Sequence, residues 1–155
     1  MADGVEVGKL MNCWTKQKGF PVLTAKLEFS KEDGRLIKVH LHQKHFRCDS
    51  GQLWNIPLVI SLASNPRQEV MRCVMPNTSA DYTVYVGETM LDYPPGSTVM
   101  LKPRCIGYYR VLYSDGEWLD DLVKQIKTGT WHVDDLLGFF EDLFPLVGFS
   151  FIHHR

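Results

Sequence analysis

Apolar residues recur with a helical period at the start of the chain. They lie at positions i, i+3, i+4 and i+7: Val7, Leu10, Met11 and Trp14. This spacing predicts a helix with one apolar face. Asp3 followed by Glu6 resembles a capping box at its beginning, and Gly19 and Pro21 predict its end. Because such a face has to be covered by another element, we expect this helix to pack against a neighbour.

After Pro21 the apolar period changes to two, which is typical of strands with one buried face. The inward positions of a first strand are Leu23, Ala25, Leu27 and Phe29, and those of a second are Ile37, Val39 and Leu41. The polar run 31–34 predicts the turn between them. We therefore predict a hairpin whose other face is exposed to water.

Further strands follow at short intervals and are separated by proline, asparagine and glycine. The predicted ranges are 56–62, 69–75, 82–86, 98–102 and 108–113. Short strands at this spacing are typical of a sandwich or barrel. We predict a mainly β protein built on an immunoglobulin-like β-sandwich of about seven strands.

The helical period returns after Tyr113. Ser114 with Glu117 forms a second capping box, and one face then carries Leu119, Leu122, Val123 and Ile126. A last helix is predicted over residues 132–144, with Pro145 as its end. One N-terminal helix and two C-terminal helices thus flank the predicted sandwich, and residues 148–155 are predicted to be an unstructured tail.

Composition and charge argue against several classes of function. The formal net charge is −1, so the chain has no strong field that would attract nucleic acid. No apolar run approaches the roughly 20 residues of a membrane span, and no secretory leader is evident. The cysteines form no C-x-x-C pair, which favours free thiols in a reducing compartment. We expect a soluble, cytoplasmic protein without nucleic-acid or membrane partners.

One cluster has the chemistry of a metal site: His40, His42, His45 and Cys48. Zinc accepts such ligands, and spacings of two and three residues can bring them together. The alternative is an exposed strand face, because His40 and His42 share the polar side of the second strand. Lys44 and Arg47 add positive charge that would repel a cation. We favour the strand face and predict no metal-binding or cofactor-binding residue.

No catalytic residue is predicted either. The chain has no His-Glu-x-x-His, no Gly-x-Ser-x-Gly and no glycine-rich phosphate loop. Acidic residues of the last helix are expected to be solvated charges: Asp134, Asp135, Glu141 and Asp142. For Asp142 the alternative is a pairing with an arginine or a backbone group of a neighbouring domain.

The stretch 107–113 (GYYRVLY) is the most distinctive part of the sequence. It predicts a strand with Tyr109, Val111 and Tyr113 on one side and Arg110 on the other. Arg110 is expected to stack on tyrosine rings or to pair with a buried carboxylate. We favour a structural role for this stretch over ligand binding.

Several motifs, taken in order, resemble the gluzincin zinc aminopeptidases and are closest to their puromycin-sensitive branch. They are residues 14–23 (WTKQKGFPVL), 43–46 (QKHF), 54–58 (WNIPL), 107–113, and 133–134 with 142–144. The structural residues of these motifs are Trp14, Gly19, Pro21, Trp54, Pro57, Gly107, Tyr109, Arg110 and Tyr113. Their order and spacing agree with the family over about residues 7–147.

The resemblance implies a division of the chain. Residues 1–19 would end a catalytic domain, 20–113 would form the β-sandwich domain, and 114–147 would open a C-terminal helical domain. The implied activity of the whole enzyme is zinc-dependent removal of N-terminal residues from peptides. The family's zinc ligands, amine-binding strand and oxyanion tyrosine lie before this segment, so none of them carries over to this chain.

We therefore expect a non-catalytic structural fragment. Its expected partners are the catalytic and helical domains of the parent enzyme, and it would meet peptides only through that parent. The alternative is a stand-alone interaction module that docks through exposed helix faces and sheet edges.

Overall fold

The computed structural model describes the backbone of residues 6–153 and the side chains of residues 6–145. In this range the strands are β1 (Pro21–Phe29), β2 (Leu36–His45), β3 (Ile56–Leu62), β4 (Glu69–Met75), β5 (Asp81–Tyr85), β6 (Val99–Leu101) and β7 (Arg110–Tyr113). The helices are α1 (Val7–Lys16), α2 (Gly87–Met90), α3 (Gly116–Lys127) and α4 (Val133–His153), with a 3-10 turn at Pro103–Cys105.

The strands form two sheets, with strand orders β5-β2-β1-β7 and β4-β3-β6. All pairs are antiparallel except β1 with β7, which is parallel. This confirms the predicted mainly β sandwich with flanking helices, to which the structure adds the one-turn helix α2. The predicted division into domains stays a prediction.

The hydrophobic core lies between the sheets and continues under α3 and α4. Leu23, Ala25 and Leu27 of β1 are all buried, as their period predicts, whereas the fourth predicted inward residue, Phe29, is 37% exposed. Trp118 of α3 donates its indole N–H to Val99 O at 2.8 Å, and Trp131 donates to Ala63 O at 2.7 Å. Each fully buried large side chain contributes roughly 1.5–3 kcal/mol, and these two indoles also fix the helices on the second sheet.

The predicted inward set of β2 is wrong at one position. The register between β1 and β2 shifts after Glu28, so that Phe29 pairs with Leu36. Ile37 therefore has no partner residue on β1. Leu36 is fully buried, whereas Ile37 is half-buried. A bulge of one residue exchanges the faces of the positions beyond it, and the alternation alone does not reveal it.

Helix α1 uses only part of its predicted apolar stripe. Val7 and Met11 are 69% and 45% exposed, while Cys13 is buried and Trp14 is half-buried. The reason is that α1 touches the sandwich through its last turns. Asp3, the predicted capping residue, lies outside the described residues.

Helix α3 is capped by a different residue than predicted. The side chain of Asp115 accepts the backbone N–H of Glu117 at 2.9 Å, as an N-cap does. Ser114 instead donates its hydroxyl to Ala25 O at 2.8 Å and ties the strand end to β1. The buried face of α3 includes Trp118, which the predicted stripe omits.

Helix α4 continues through Pro145 to His153, so the predicted end at Pro145 is wrong. The predicted unstructured tail is also wrong for residues 148–153, and residues 154–155 lie outside the described range. Proline has no N–H to donate to the carbonyl four residues earlier, which is Glu141 O. That carbonyl accepts a hydrogen bond from the Arg110 guanidinium instead. Along the described chain, no helix combines the length and apolar character that crossing a bilayer requires.

Candidate functional site: two joints between helices and sandwich

Helix α1 meets the sandwich through a cluster of rings that we call the aromatic joint: Trp14, Phe20, Phe46, Trp54 and Tyr108. The Trp14 ring lies 6.2 Å from Trp54 and 6.4 Å from Tyr108, between centroids. Phe20 stacks on Phe46 at 4.9 Å. The Trp14 indole N–H donates to Asn55 O at 2.9 Å, so the joint combines ring packing with one directional bond.

A buried glutamine holds the segment that carries Trp54. Gln43 donates its amide N–H to Trp54 O at 3.0 Å and accepts the Trp54 N–H at 2.8 Å. Both partners are buried. The sequence motif contains Gln43, but its role was not predicted. The sequence does contain a signal for this role: Gln43 lies on the same face of the strand as the inward residues Val39 and Leu41, so its amide falls at a buried position.

Helix α4 meets the sandwich through a buried ion pair, which together with Tyr109 we call the ion-pair joint. Lys102 Nζ lies 2.6 Å from Asp142 Oδ1, and the two side chains are 8% and 5% exposed. Lys102 also donates to Tyr109 O at 2.8 Å. Burial raises the pKa of the Asp142 carboxyl, and this effect outweighs the opposing attraction of Lys102.

The turn before β7 has an unusual backbone conformation that brings it against α4. Lys102, Arg104 and Cys105 have φ values of 55°, 56° and 56°. Left-handed conformations of such residues cost roughly 1–3 kcal/mol each and persist where the surroundings fix them. Here the Arg104 N–H donates to Asp135 Oδ1 at 2.7 Å. A Cβ at Gly138 of α4 would lie 2.6 Å from Cys105 Sγ, so the Cys105 side chain would have to shift to admit a larger residue.

Two acidic residues of α4 thus differ from their prediction. Asp135 and Asp142 are buried rather than solvated, because the 3-10 turn and Lys102 supply their partners. Asp142 pairs with Lys102 of this chain, whereas the alternative prediction was an arginine or a backbone group of a neighbouring domain. Lys102 itself was not predicted as a buried residue.

Two tyrosines of β7 and the residues before it lie beneath α4, where Tyr109 is buried and Tyr113 is half-buried. A side chain at Gly107, whose φ is 122°, would collide with the Tyr109 ring. The Tyr109 hydroxyl has no hydrogen-bond partner among the described residues. The Tyr113 hydroxyl accepts from Leu101 N at 3.2 Å and donates to Leu101 O at 3.3 Å. Burial raises the pKa of both phenols.

Arg110 connects the two joints. Its guanidinium carbon lies 5.6 Å from the Phe20 ring centre and 5.4 Å from that of Phe46. The same group donates to Glu141 O of α4. The predicted stacking on tyrosine is therefore corrected to stacking on phenylalanine, and the predicted carboxylate partner to a backbone carbonyl.

The remaining motif residues shape the chain around the joints. Gly19 has a φ of 86°, and a side chain there would collide with the His45 ring. Pro21 begins β1. Pro57 lies on β3 where only β4 pairs with it, since β6 pairs with Ile60–Leu62. A proline is tolerated there because its missing N–H interrupts no ladder on the open side.

The histidines that were considered as an alternative metal site contact separate partners. His40 contacts Glu28 Oε2 at 2.5 Å, and His42 contacts Asp81 Oδ1 at 2.8 Å. His45 contacts Lys18 O at 3.2 Å. These residues do not fit a zinc site, because each imidazole is held in a different place. Among the described side chains, no three His, Cys, Asp or Glu residues are grouped as metal ligands. That the chain binds no cofactor stays a prediction.

Comparison with known proteins supports the resemblance of the motifs. No family model matches the chain. Puromycin-sensitive aminopeptidase of Caenorhabditis elegans is 30% identical over 94% of this chain and 15% of its own length. Endoplasmic reticulum aminopeptidase 1 of Homo sapiens is 29% identical over 81% of this chain and 12% of its own.

Aminopeptidase M1-B of Oryza sativa subsp. japonica is 30% identical over 93% of this chain and 16% of its own length. The chain therefore spans only 12–16% of the length of these relatives. The chain is a relative of the aminopeptidases, the family that its ordered motifs resemble, and it matches a short part of each of them.

Proposed function

We propose that the chain is a non-catalytic structural segment of a zinc-dependent aminopeptidase. In this proposal the zinc ion and the removal of N-terminal amino acids from peptides belong to the rest of the enzyme. The role of this segment is to hold the helices on either side of the sandwich in a fixed orientation. The observation that carries the proposal is the buried Lys102–Asp142 pair, which joins α4 to the turn before β7.

A buried ion pair suits a connector because its geometry is demanding. Two charges removed from water are compensated only when they meet at hydrogen-bonding distance. A shift of α4 along the sandwich would separate Lys102 from Asp142 and leave both charges without compensation. Arg110, bonded to α4 and stacked in the aromatic joint, extends the same constraint to the surroundings of α1.

The catalytic part of the proposal is tested with the purified 155-residue chain, an aminoacyl fluorophore and added zinc. We expect no zinc-dependent hydrolysis above that of buffer. Hydrolysis that requires zinc and is blocked by bestatin would overturn the non-catalytic assignment.

The connector part is tested by amide hydrogen exchange on the same chain. We expect the first turns of α4 to be protected as strongly as β3 in the wild type, and to lose protection in Lys102→Met. Exchange in α4 that is fast in the wild type, or unaffected by the substitution, would contradict a rigid joint.

A second candidate function, an interaction module, is favoured by one feature of α4. Its outer face carries an apolar row at i, i+4, i+7 and i+11: Val133, Leu137, Phe140 and Phe144. These residues are 56%, 56%, 41% and 69% exposed. A row of this kind is typical of a surface that another element covers. In the proposed enzyme its occupant is the rest of the C-terminal helical domain, and the catalytic domain is the partner of α1.

Light scattering after gel filtration tests the apolar row. We expect the chain to self-associate as its concentration rises, and Phe140→Ser with Phe144→Ser to keep it monomeric. Two substitutions on the buried side of α4 cannot serve as the control, because they would unfold the helix. The control is Asp120→Ser, at an exposed position of α3. A wild-type chain that stays monomeric at all concentrations would contradict self-association through the apolar row.

We also propose a cytoplasmic location. All four cysteines lie in the described range and none forms a disulfide there, as is usual in reducing compartments. One relative carries an endoplasmic reticulum name, so the location is separately testable. Fluorescent tagging of the natural gene product is expected to give a cytosolic signal, and a reticular signal would refute it.

A further inference from the structure

We propose that Cys48 is a modification site for small anionic disulfides, with His45 as the acceptor of its proton. This inference does not depend on the proposed connector role. It is carried by the geometry of the loop that follows β2, where an exposed thiol and an oriented imidazole meet.

The tautomer of His45 is fixed by its surroundings. Its Nε2 lies 3.2 Å from Lys18 O, and a carbonyl oxygen only accepts, so Nε2 carries the hydrogen. Nδ1 therefore presents a lone pair, which accepts the Arg47 N–H at 3.0 Å and lies 3.4 Å from Cys48 Sγ. A nucleophile next to a base, with the base held by a third group, is the arrangement that activates thiols.

The lone pair of Nδ1 is shared between the thiol and the loop amides. The Cys48 N–H approaches it at 3.3 Å in addition to the Arg47 N–H. When the ring takes the thiol proton, these amides have to turn away. The resulting imidazolium then faces the thiolate and stabilises it electrostatically.

The charge around the thiol favours an anionic reactant. Cys48 lines a surface cavity of about 460 Å³ together with Lys44, Arg47 and Asp49. The wall of this cavity thus carries two cationic side chains and one carboxylate, so its net charge is positive. An anionic disulfide is attracted to this surface, and the effect weakens as salt concentration rises.

The reaction is thiol–disulfide exchange, and its atoms and electrons balance. The Cys48 proton passes to His45 Nδ1, and the thiolate attacks one sulfur of the small disulfide. The S–S bond of that molecule breaks as the bond to Cys48 Sγ forms. The departing thiolate takes the proton back from the imidazolium. Cys48 sulfur is oxidised, and the departing sulfur is reduced.

The other cysteines provide an internal comparison. Cys105 is also exposed, but its thiol donates to Asp134 O at 3.3 Å. Partial burial raises the pKa of the Cys105 thiol, and the nearby carboxylates of Glu141 and Asp142 raise it further, against Lys102. Burial also raises the pKa of Cys73. Cys13 is buried. Among the described side chains, Cys48 is the one of the two exposed thiols that faces an imidazole within hydrogen-bonding reach.

The experiment follows the release of coloured thiolate from dithiobis(nitrobenzoate), an anionic aromatic disulfide, at neutral pH. We expect one fast thiol per chain in the wild type and in Cys105→Ser, and none in Cys48→Ser. Intact mass after brief treatment with glutathione disulfide should show one adduct, absent from Cys48→Ser. A fast phase that survives Cys48→Ser, or that vanishes in Cys105→Ser, would overturn the assignment.

Two further variants separate activation from simple exposure. His45→Gln should slow the fast phase at least about tenfold, because the proton acceptor is lost. Lys44→Ala with Arg47→Ala should slow the anionic probe but not neutral dithiodipyridine, and this contrast does not depend on His45. Near-UV circular dichroism checks that each variant is folded. An unchanged rate in His45→Gln would refute the base, and equal effects on both probes would refute the charge selection.

Discussion

Each of the two joints attaches a helix to the sandwich, but one uses aromatic packing and the other uses a buried ion pair. The aromatic joint holds α1 by rings that pack at 4.9–6.4 Å, with Trp14 half-buried and Tyr108 71% exposed. The ion-pair joint holds α4 by one lysine and one aspartate that are almost fully buried. Ring packing is non-directional and tolerates small shifts, whereas a buried ion pair depends on both partners at one distance. We therefore expect α1 to be adjustable and α4 to be fixed.

The largest expected effect comes from separating the buried charges. Lys102→Met or Asp142→Leu alone should lower the free energy of unfolding by about 3–5 kcal/mol, because each leaves an uncompensated buried charge. The double variant should recover most of that loss. Urea unfolding of the four proteins gives the coupling energy directly. Single losses below about 1 kcal/mol that simply add would mean that α4 is not held by the pair.

Gly107→Ala comes next, because it affects the Tyr109 ring of the ion-pair joint. Its φ of 122° strains any other residue, and the added methyl group collides with the buried ring. We expect a loss of roughly 2–3 kcal/mol in the free energy of unfolding.

Gly34→Ala is the matched control for that substitution. Gly34 has a φ of 71°, but a methyl group there would meet no atom within 4 Å. It should cost about 1 kcal/mol for its backbone conformation alone. Equal losses in the two variants would show that the ring contact at Gly107 has no effect.

Trp14→Ala tests the aromatic joint and should cost about 2 kcal/mol, less than a fully buried tryptophan, because the ring is half-buried. Trp14→Phe keeps a ring but removes the bond to Asn55 O, and should cost about 1 kcal/mol. Hydrogen exchange should rise more in α1 than in α4, which the Lys102–Asp142 pair still holds. A rise of equal size in both helices would contradict the stronger hold on α4.

The smallest effects concern the two phenols under α4. Tyr109→Phe removes a hydroxyl without a described partner and should change the free energy of unfolding by less than about 0.5 kcal/mol. Tyr113→Phe loses both bonds to Leu101 and should cost about 1 kcal/mol. Chemical denaturation at neutral pH compares them. A larger loss for Tyr109→Phe would reveal a partner of its hydroxyl.

The same phenols give a pH dependence. Because burial raises the pKa of Tyr109 and Tyr113 in the folded state, the unfolded chain loses these protons first. Their contribution is therefore complete below pH about 10 and is lost as the pH rises further, by about 1.4 kcal/mol per pH unit for each phenol. Each Phe variant should reduce that slope in alkaline denaturation. If neither variant changed the slope, groups other than Tyr109 and Tyr113 would account for the pH dependence.

The strands were the most predictable part of the fold. The ranges predicted for β3 and β4 agree with the observed Ile56–Leu62 and Glu69–Met75. Both strands are bounded by proline or asparagine, and β3 is apolar at every position except Ser61. Such signals are local, so they can be read without knowledge of neighbours. The bulge at Ile37 was missed because it depends on how two strands pair.

The joints were less predictable than the motifs that contain them. The motif residues Trp14, Trp54 and Arg110 do lie at the aromatic joint. Lys102 was not singled out, and Asp142 was expected to be solvated, since isolated charges are rarely buried. Their pairing spans a sequence separation of 40 residues. No periodicity marks such a pair before the elements are packed.

The sequence by itself determined the alternation that makes strands, the helical periods at both ends and the ordered motifs of an aminopeptidase relative. Those features depend on neighbours along the chain. Tertiary structure alone decided that Lys102 meets Asp142, that Arg110 satisfies the carbonyl freed by Pro145, and that His45 faces Cys48. The physical reason is that burial, ionisation and hydrogen bonding depend on which groups meet in space, and packing sets those meetings.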